Sequence, residues 1–157
     1  MIAHQHPNPQ KPDRVVIVGA GGFIGKAVHH RLKAEGVNVL ALTSDDVDLV
    51  APVAADRLAA AIKPADAVVM LAALTPDKGR DTATLMKNLA MMQHLCVALE
   101  KINCAHLVYF SSDAVYGPDV SRVSEETPPS PRDLYGVMHY ARELMTHSLT
   151  KMQVLVL

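Results

Sequence analysis

A glycine-rich segment, Gly19-Ala-Gly-Gly-Phe-Ile-Gly25, directly follows a short run of β-branched residues. Gly19 permits a tight turn out of a strand, Gly22 lets the backbone approach a pyrophosphate, and Gly25 lets a helix pack closely on a sheet. At the start of that helix, free N–H groups and the helix dipole favour negative charge. The segment therefore predicts a dinucleotide phosphate site. The predicted contacts in it are Gly19, Gly22, Phe23, Ile24 and Gly25.

The elements that would position this loop are visible as short apolar runs that alternate with helical patterns. Apolar runs of four or five residues are typical of parallel strands buried on both faces. Strand–helix alternation with right-handed crossovers predicts an α/β fold, a doubly wound parallel sheet (Rossmann-like) with helices on both faces. Strands are predicted at 14–18, 38–42, 67–71, 107–110 and 153–157, and helices from the glycine loop to Gly36 and at about 56–62, 82–101 and 134–149, with a Ser- and Pro-rich loop before the last helix.

The composition excludes several classes of partner. The chain has 157 residues, a formal net charge of −1 and 4% aromatic residues. A near-neutral chain is a poor binder of nucleic acid or of anionic membranes, and no apolar run approaches the ~20 residues of a membrane span. We expect one soluble, cytoplasmic domain at 14–157 after a disordered tail at 1–13. Cys96 and Cys104 match no zinc or redox spacing, and no metal is expected.

Three motifs together resemble one family. The glycine spacing is GxxGxxG, the segment Val108-Tyr-Phe-Ser-Ser-Asp-Ala-Val-Tyr-Gly117 is similar to an SSxxVYG block, and Tyr135-Gly-Val-Met-His139 is similar to the end of PxxxYGxxK. This combination resembles the extended short-chain dehydrogenase/reductase family of NAD-dependent epimerases, dehydratases and sugar-nucleotide reductases. The short stretch between the second strand and Asp48 is most similar to the dTDP-4-dehydrorhamnose reductase branch.

The resemblance implies roles for four residues. Tyr135 takes the position of the general acid/base, and Ser112 that of the hydroxyl that hydrogen-bonds the reacting oxygen. Asn88, in the long helix, matches the asparagine that supports the family's active site from behind. His139 stands where the family has a lysine that contacts the nicotinamide ribose. Ala114 stands where the dehydratases carry a glutamate, which disfavours a 4,6-dehydratase.

His139 is the most informative departure from the family pattern. A permanent positive charge near the tyrosine lowers the tyrosine pKa, so that phenolate is available as a base at neutral pH. With an unshifted pKa of ~10, only about one tyrosine in a thousand is ionised at pH 7. A histidine with a pKa of ~6.5 is mostly neutral there and cannot supply the same charge. We therefore expect cofactor binding with weak or absent turnover.

Further cofactor contacts follow from the resemblance, which implies that an Asp-hydrophobic pair touches the adenine and that small residues let the cofactor lie across the sheet edge. Leu71 stands where the family has an asparagine at that edge. Many NAD users place an acidic residue after the second strand to hold the ribose 2′-OH, but this chain has Thr43 and Ser44 there. No Arg or Lys stands beside them, so NAD and NADP both stay open. The implied contacts are Thr43, Asp48, Leu49, Ala72, Ala73, Tyr135 and His139.

Two features concern the rest of the protein. Both predicted long helices carry more apolar residues than one buried face requires, which suits the paired-helix homodimer of the resembled family.

Enzymes of that family continue past a strand like 153–157 into a smaller domain that holds the nucleotide sugar. This sequence ends inside that strand, so we expect a truncated cofactor half of a longer protein.

Two hypotheses for function remain open. In the first, the chain is the NAD(P)-binding domain of a reductase or epimerase that acts on a nucleotide-linked sugar. In the second, it is a catalytically impaired nucleotide-binding module, a sensor or scaffold without turnover. Cofactor binding does not separate them, whereas turnover of a nucleotide sugar does.

Overall fold

The computed structural model describes residues 11–157, and the first ten residues of the predicted tail lie outside the described residues. All five strands are parallel and lie in the order β2-β1-β3-β4-β5, which confirms the predicted α/β sheet. The elements are β1 (Val15–Val18), α1 (Phe23–Ala34), β2 (Val39–Leu42), α2 (Ala54–Ala61), β3 (Ala67–Met70), α3 (Thr82–Ile102), β4 (His106–Tyr109), a 3₁₀ helix (Asp113–Val115), α4 (Leu134–His147) and β5 (Gln153–Val156).

Helices cover both faces of the sheet, as the apolar strands require. The larger core lies between one face and α2, α3 and α4, and a smaller core lies between the other face and α1. All four residues of β1 are buried, because this strand lies between β2 and β3 beneath both layers. Cys96 and Cys104 are buried free thiols, and burial raises the pKa of each to about 11, so they act as apolar core residues.

The observed bounds differ from the predicted ones by at most two residues, except in the segment before α4. There the 3₁₀ helix interrupts the predicted loop, because the Ser112 hydroxyl accepts a hydrogen bond from the Ala114 N–H (3.2 Å) and caps the turn. Within 11–157, no helix is both long enough and apolar enough to cross a membrane.

The strand order creates a crevice at one edge of the sheet. The connection after β1 leads to β2 on one side, whereas β3 pairs with β1 on the other side. At such a switch point the loops that follow the two strands diverge, and ligands of open α/β sheets bind in the space between them. The glycine loop follows β1 and the Leu71–Ala73 segment follows β3, so both border this crevice.

A largely buried ion pair lies at the other end of the sheet, where β1 and β3 begin. The Arg14 guanidinium donates to both carboxylate oxygens of Asp66 (2.9 and 2.6 Å) and to the Ala61 carbonyl (2.9 Å). Burial raises the pKa of Asp66, but the bonds from Arg14 and from the Lys63 N–H outweigh it and hold that pKa below its usual value. The pair therefore ties the start of β1 to the turn that leads into β3.

Replacing this carboxylate should cost stability in a pH-dependent way. We expect Asp66→Asn to lower the free energy of unfolding by about 2 kcal/mol at pH 7, because a charged hydrogen-bonded pair is lost. Since the folded-state pKa is depressed, this contribution is present above the unfolded pKa near ~3.9 and disappears as the pH falls through the folded value. Urea unfolding of parent and variant should therefore converge below about pH 4.

Asp56→Asn is the matched control, because it removes an exposed ion pair with Lys101 (2.8 Å) and should change stability little. A cost at Asp66 no larger than that at Asp56, or one that does not shrink as the pH falls below about 4, would contradict the assignment.

Candidate active site

The glycine loop is shaped by two close contacts that only glycine allows. Gly19 has a φ of +97°, and a Cβ on it would lie 2.6 Å from the Ala72 nitrogen. A Cβ on Gly25 would lie 2.2 Å from the Gly19 carbonyl oxygen. The N–H groups of Gly19 and Ala20 both donate to the Leu42 carbonyl (3.0 and 2.9 Å). The loop is thus held against the ends of β2 and β3, as its spacing predicts.

The start of α1 has the properties of an anion site. Gly22 is the N-cap of the helix and has no side chain to accept from the first-turn N–H groups. A Cβ at this position would meet only the Gly19 carbonyl oxygen, at 3.5 Å, so the space above the helix end is open. Phe23 and Ile24 in the first turn are exposed and cover neither the cap nor the loop. This end of α1 therefore fits the phosphates of a dinucleotide.

Asp46 holds Thr43, the residue that follows β2, by two hydrogen bonds. Its carboxylate accepts from the N–H and the hydroxyl of Thr43 (both 2.8 Å), bonds that lower the Asp46 pKa. The Thr43 methyl group lies next to the loop, 3.6 Å from a Cβ built on Gly21. Asp48 is exposed and accepts from the Val50 N–H (3.0 Å), whereas Leu49 is buried in the larger core. Thr43 is thus beside the phosphate loop, and the adenine contacts of Asp48 and Leu49 stay predictions.

Asn88 holds the segment that follows β3. Its side-chain carbonyl accepts from the Leu74 N–H (2.8 Å), and its amide donates to the Leu74 carbonyl (3.0 Å). Ala72 and Ala73 precede this clamp, and the Ala72 backbone is the one that Gly19 approaches. Asn88 is 2% exposed, so it holds the segment after β3 from the core side, and its role in the active site stays a prediction.

Tyr135 reaches the site because α4 begins directly against the 3₁₀ helix. The Asp133 carboxylate caps α4 by accepting from the Gly136 N–H (2.8 Å). A Cβ on Gly136 would lie 2.1 Å from the Ala114 carbonyl oxygen, so only glycine lets the two helices approach this closely. This approach brings Ser112 and Tyr135 together, so that the Ser112 hydroxyl acts on the Tyr135 pKa, while the bond that this hydroxyl donates runs to Asp113 (3.2 Å). The two predicted catalytic hydroxyls therefore meet.

The environment of Tyr135 opposes its ionisation. Burial raises the pKa of Tyr135, and so do the carboxylates of Asp113 and Asp133. The charge of Arg142 and the Ser112 hydroxyl lower it. The balance is a pKa above the usual value of a tyrosine. Tyr135 is therefore a neutral phenol near pH 7, which suits a proton donor better than a base.

His139 lies one turn beyond Tyr135, and the two rings meet edge to face with centroids 4.6 Å apart. Its Nδ1 shares a hydrogen bond with the Tyr109 hydroxyl (2.7 Å), and its Nε2 is covered and has no hydrogen-bond partner. Burial, with the charge of Arg142, lowers the His139 pKa to about 4. The imidazole is neutral at pH 7, as predicted, but it presents no exposed nitrogen, so the ribose contact requires a movement of the ring.

Arg142 is the residue that sequence reasoning missed. It is fully buried, and its guanidinium donates to the carbonyls of Asn88 (3.0 and 2.8 Å) and Ala72 (2.9 Å). Its charge also acts on the hydroxyls of Tyr109 and Tyr135. A cation that the motif did not indicate therefore lies near Tyr135, although the pKa of Tyr135 stays above its usual value, so the expectation of a Tyr135 that is not ionised at neutral pH stands. An arginine at the buried position of an amphipathic helix is the signal that was available.

The predicted residues form two connected groups. Ser112, Tyr135 and His139 meet around the start of α4. The glycine loop reaches the same region through Ala72, whose backbone it contacts and whose carbonyl is bound by Arg142. Beside Tyr135 opens a cleft that is also lined by Leu74, Arg80 and Asp133. The arrangement offers phosphate-binding donors, a hydroxyl pair and a buried cation at one sheet edge.

Comparison with proteins of known structure or name gives consistent matches. The dTDP-4-dehydrorhamnose reductase of Mycobacterium tuberculosis is 33% identical over 126 residues, which cover 78% of this chain and 40% of the relative. RMD from Pseudomonas aeruginosa, solved in complex with NADPH, is 31% identical with a TM-score of 0.76, covering 92% of this chain and 52% of that one. The Thermus thermophilus UDP-glucose 4-epimerase solved with NAD is 23% identical, with a TM-score of 0.77 over 91% of this chain and 53% of that chain, a likeness of fold.

This chain spans about 40% of the length of the M. tuberculosis relative. A sequence model of the NAD-dependent epimerase/dehydratase family matches residues 15–156, which include every element of the sheet. The glycine loop, the Ser112–Tyr135 pair and the Asn88 clamp all lie within the matched region. The chain belongs to the NAD-dependent epimerase/dehydratase family.

Proposed function

We propose that this chain is the NAD(P)-binding part of a reductase or epimerase that acts on a nucleotide-linked sugar. The observation that carries the proposal is the uncapped start of α1 behind Gly19 and Gly22, at the sheet edge that also holds Tyr135 and Ser112. The family match and the names of the relatives, which include nucleotide-sugar reductases and epimerases, support the substrate class. The relatives solved with NADPH or NAD support the cofactor class.

The side chains divide the work as follows. The open N–H groups of α1 hold the cofactor phosphates, and the segment clamped by Asn88 forms the floor beneath it. The bound nicotinamide supplies the redox chemistry. Ser112 orients the reacting oxygen of the sugar, and the neutral Tyr135 phenol donates its proton to that oxygen. Arg80, which lines the cleft beside Tyr135, is placed to meet the anionic nucleotide.

A second candidate function is a nucleotide-binding module without turnover. The observation that favours it is His139, which is buried and neutral where the family has a permanent positive charge. In this case the fold retains cofactor binding, while Tyr135 takes no part in acid–base catalysis.

Under either function, the buried free cysteines suit a reducing compartment, so we place the protein in the cytoplasm.

We also propose a homodimer through α3 and α4. Leu134, Val137 and Leu144 recur on one side of α4 and are exposed, and Met86 is exposed on α3. The methionines of α4 do not add to this surface, because Met138 is buried and Met145 packs against the larger core. The surface left for a partner is therefore the leucine–valine side of α4. A second copy would cover it, as in the paired-helix dimer of the resembled family.

The first prediction from this proposal concerns the phosphate loop. Gly22→Asp should weaken NADPH and NADH binding by more than tenfold, because it places a carboxylate where the phosphates bind, while the carboxylate caps the helix and preserves the fold. Gly22→Ala is the matched control. Gly22 has an ordinary φ of −73° and open space for a methyl group, so this variant should bind much more like the parent. Calorimetry that shows equal affinities for both variants, or no binding by the parent at millimolar cofactor, would refute the site.

A second prediction separates the enzyme from the module. With NADPH and a dTDP-linked 4-keto sugar, the enzyme function predicts that the parent consumes NADPH, slowly because His139 replaces the lysine, measured as loss of absorbance at about 340 nm. Tyr135→Phe should be at least about 100-fold slower, since a general acid contributes roughly 10²–10⁴-fold. Both proteins should bind NADPH equally in calorimetry. Bound cofactor with equal, negligible rates would favour the module.

A third prediction concerns assembly. Leu144→Glu should convert the dimer to a monomer at tens of micromolar in sedimentation velocity, because the substitution buries a charge in the paired surface. Val123→Glu, at an exposed residue in the segment before α4, should sediment like the parent. A parent that is already monomeric, or a Leu144→Glu variant that stays dimeric, would show that this surface is not the interface.

A further inference from the structure

A buried positive charge without an acidic partner lies behind the candidate site. Arg142 has no exposed surface, and its guanidinium donates to backbone carbonyls, those of Asn88 and Ala72. Among the described residues, no carboxylate lies within ion-pair distance of it. Burying a charge is costly unless it is well hydrogen-bonded, and an apolar residue would fill the same position at less cost. The position is therefore a candidate for a role that needs the charge.

The surroundings of Arg142 indicate that role. Arg142 lies two turns beyond Tyr135 and three residues beyond His139, so the three side chains share one face of α4. Its charge acts on Tyr135 and on Tyr109, whose hydroxyl bonds His139. We propose that Arg142 is the cation of this site, replacing the missing lysine charge from a position less than one turn further along α4, and acting on Tyr135 directly and on His139 through Tyr109. This inference rests on the proposed function, because only a Tyr135 that takes part in acid–base catalysis needs a positive charge near it.

The hydrogen bond between the Tyr109 hydroxyl and His139 Nδ1 (2.7 Å) can run in either direction, depending on the histidine tautomer. The positive charge of Arg142 acts on Tyr109, and a cation favours a tyrosine whose oxygen lone pairs face it and whose O–H points away. The proposal therefore has the Tyr109 O–H donate to Nδ1, which leaves the ring proton of the neutral imidazole on Nε2, the nitrogen without a hydrogen-bond partner. In this arrangement His139 is a link in the network rather than a second cation.

Other charged groups near Tyr135 and Tyr109 determine how far Arg142 can lower the pKa of these tyrosines. Asp113 and Asp133 raise the pKa of Tyr135, and Glu143, which accepts from the Ser111 hydroxyl, raises the pKa of Tyr109. Arg142 is the cation that opposes them in the described part of the chain. A lysine at 139 would place a second cation close to Arg142, so a neutral residue at 139 is compatible with a charge at 142.

The test measures the Tyr135 phenolate directly. Proteins labelled with 3-fluorotyrosine, in which fluorine lowers every tyrosine pKa into the range where the chain stays folded, are titrated by ¹⁹F NMR. The Tyr135 resonance is assigned by its loss in Tyr135→Phe. Arg142→Met should raise the Tyr135 pKa by about one unit or more, because a cation close to a phenol lowers its pKa. Arg142→Lys should keep it near the parent value, and Lys87→Met, which removes an exposed cation beside Asn88, should not move it.

The direction of the shift separates an electrostatic role from a structural one. If Arg142 only holds the helices together, Arg142→Met loosens the site, admits water and lowers the Tyr135 pKa towards its usual value. An unchanged or lowered pKa in Arg142→Met would therefore overturn the proposal, as would a change of similar size in Lys87→Met. Neither outcome depends on cofactor binding, so failure here is distinct from failure of the proposed function.

A second measurement covers the case in which Arg142→Met does not fold. Long-range ¹H–¹⁵N NMR of His139 in the parent should show a neutral Nε2–H tautomer at pH 7, with protonation only near pH 4. In Tyr109→Phe the link to Arg142 is lost, and the tautomer preference should weaken. An Nδ1–H tautomer in the parent, or the same tautomer population in Tyr109→Phe, would contradict the direction of the network.

Discussion

The Arg142 guanidinium joins three segments that are far apart in the sequence. It comes from α4, and it binds the Asn88 carbonyl in α3 and the Ala72 carbonyl after β3. A buried guanidinium must keep its hydrogen bonds, because an unpaired charge in the core is far more costly than a lost contact. The positions of α4 and of the segment after β3 are therefore coupled. Since Asn88 also clamps Leu74, the floor of the crevice and the helix that carries Tyr135 form one rigid unit.

Close backbone approaches supply the other constraint. Gly19 lies against Ala72, and Gly136 lies against Ala114, each so close that a Cβ would overlap backbone atoms. The first contact brings the phosphate loop to the end of β3, and the second brings Tyr135 to Ser112. Both contacts are made outside regular strands, where small residues let the chain pass closely. The site thus depends on missing side chains as much as on the polar groups present.

The combination of a neutral His139 and a buried Arg142 bears on the choice between enzyme and binding module. Judged from position 139 alone, the site lacks its cation. In the folded chain a cation is present, but it lies deeper and is hydrogen-bonded to backbone carbonyls in place of solvent. A buried charge is less screened than an exposed one, so its effect on a nearby phenol does not require direct contact. The loss of the lysine is therefore weaker evidence for inactivity than the motif suggests.

The sequence determined the fold, because short apolar runs, helical spacing and glycine positions are local signals with few alternative structures. It also indicated Ser112, Asn88 and Tyr135, which the folded chain brings to one edge of the sheet. Only the tertiary structure decided which way His139 faces and that Arg142 is buried. Both depend on Tyr109, whose hydroxyl comes from a strand thirty residues before His139. Spacing along one helix gives a side chain its direction, but its partners come from the elements packed against that helix, and these are set only when the whole core forms.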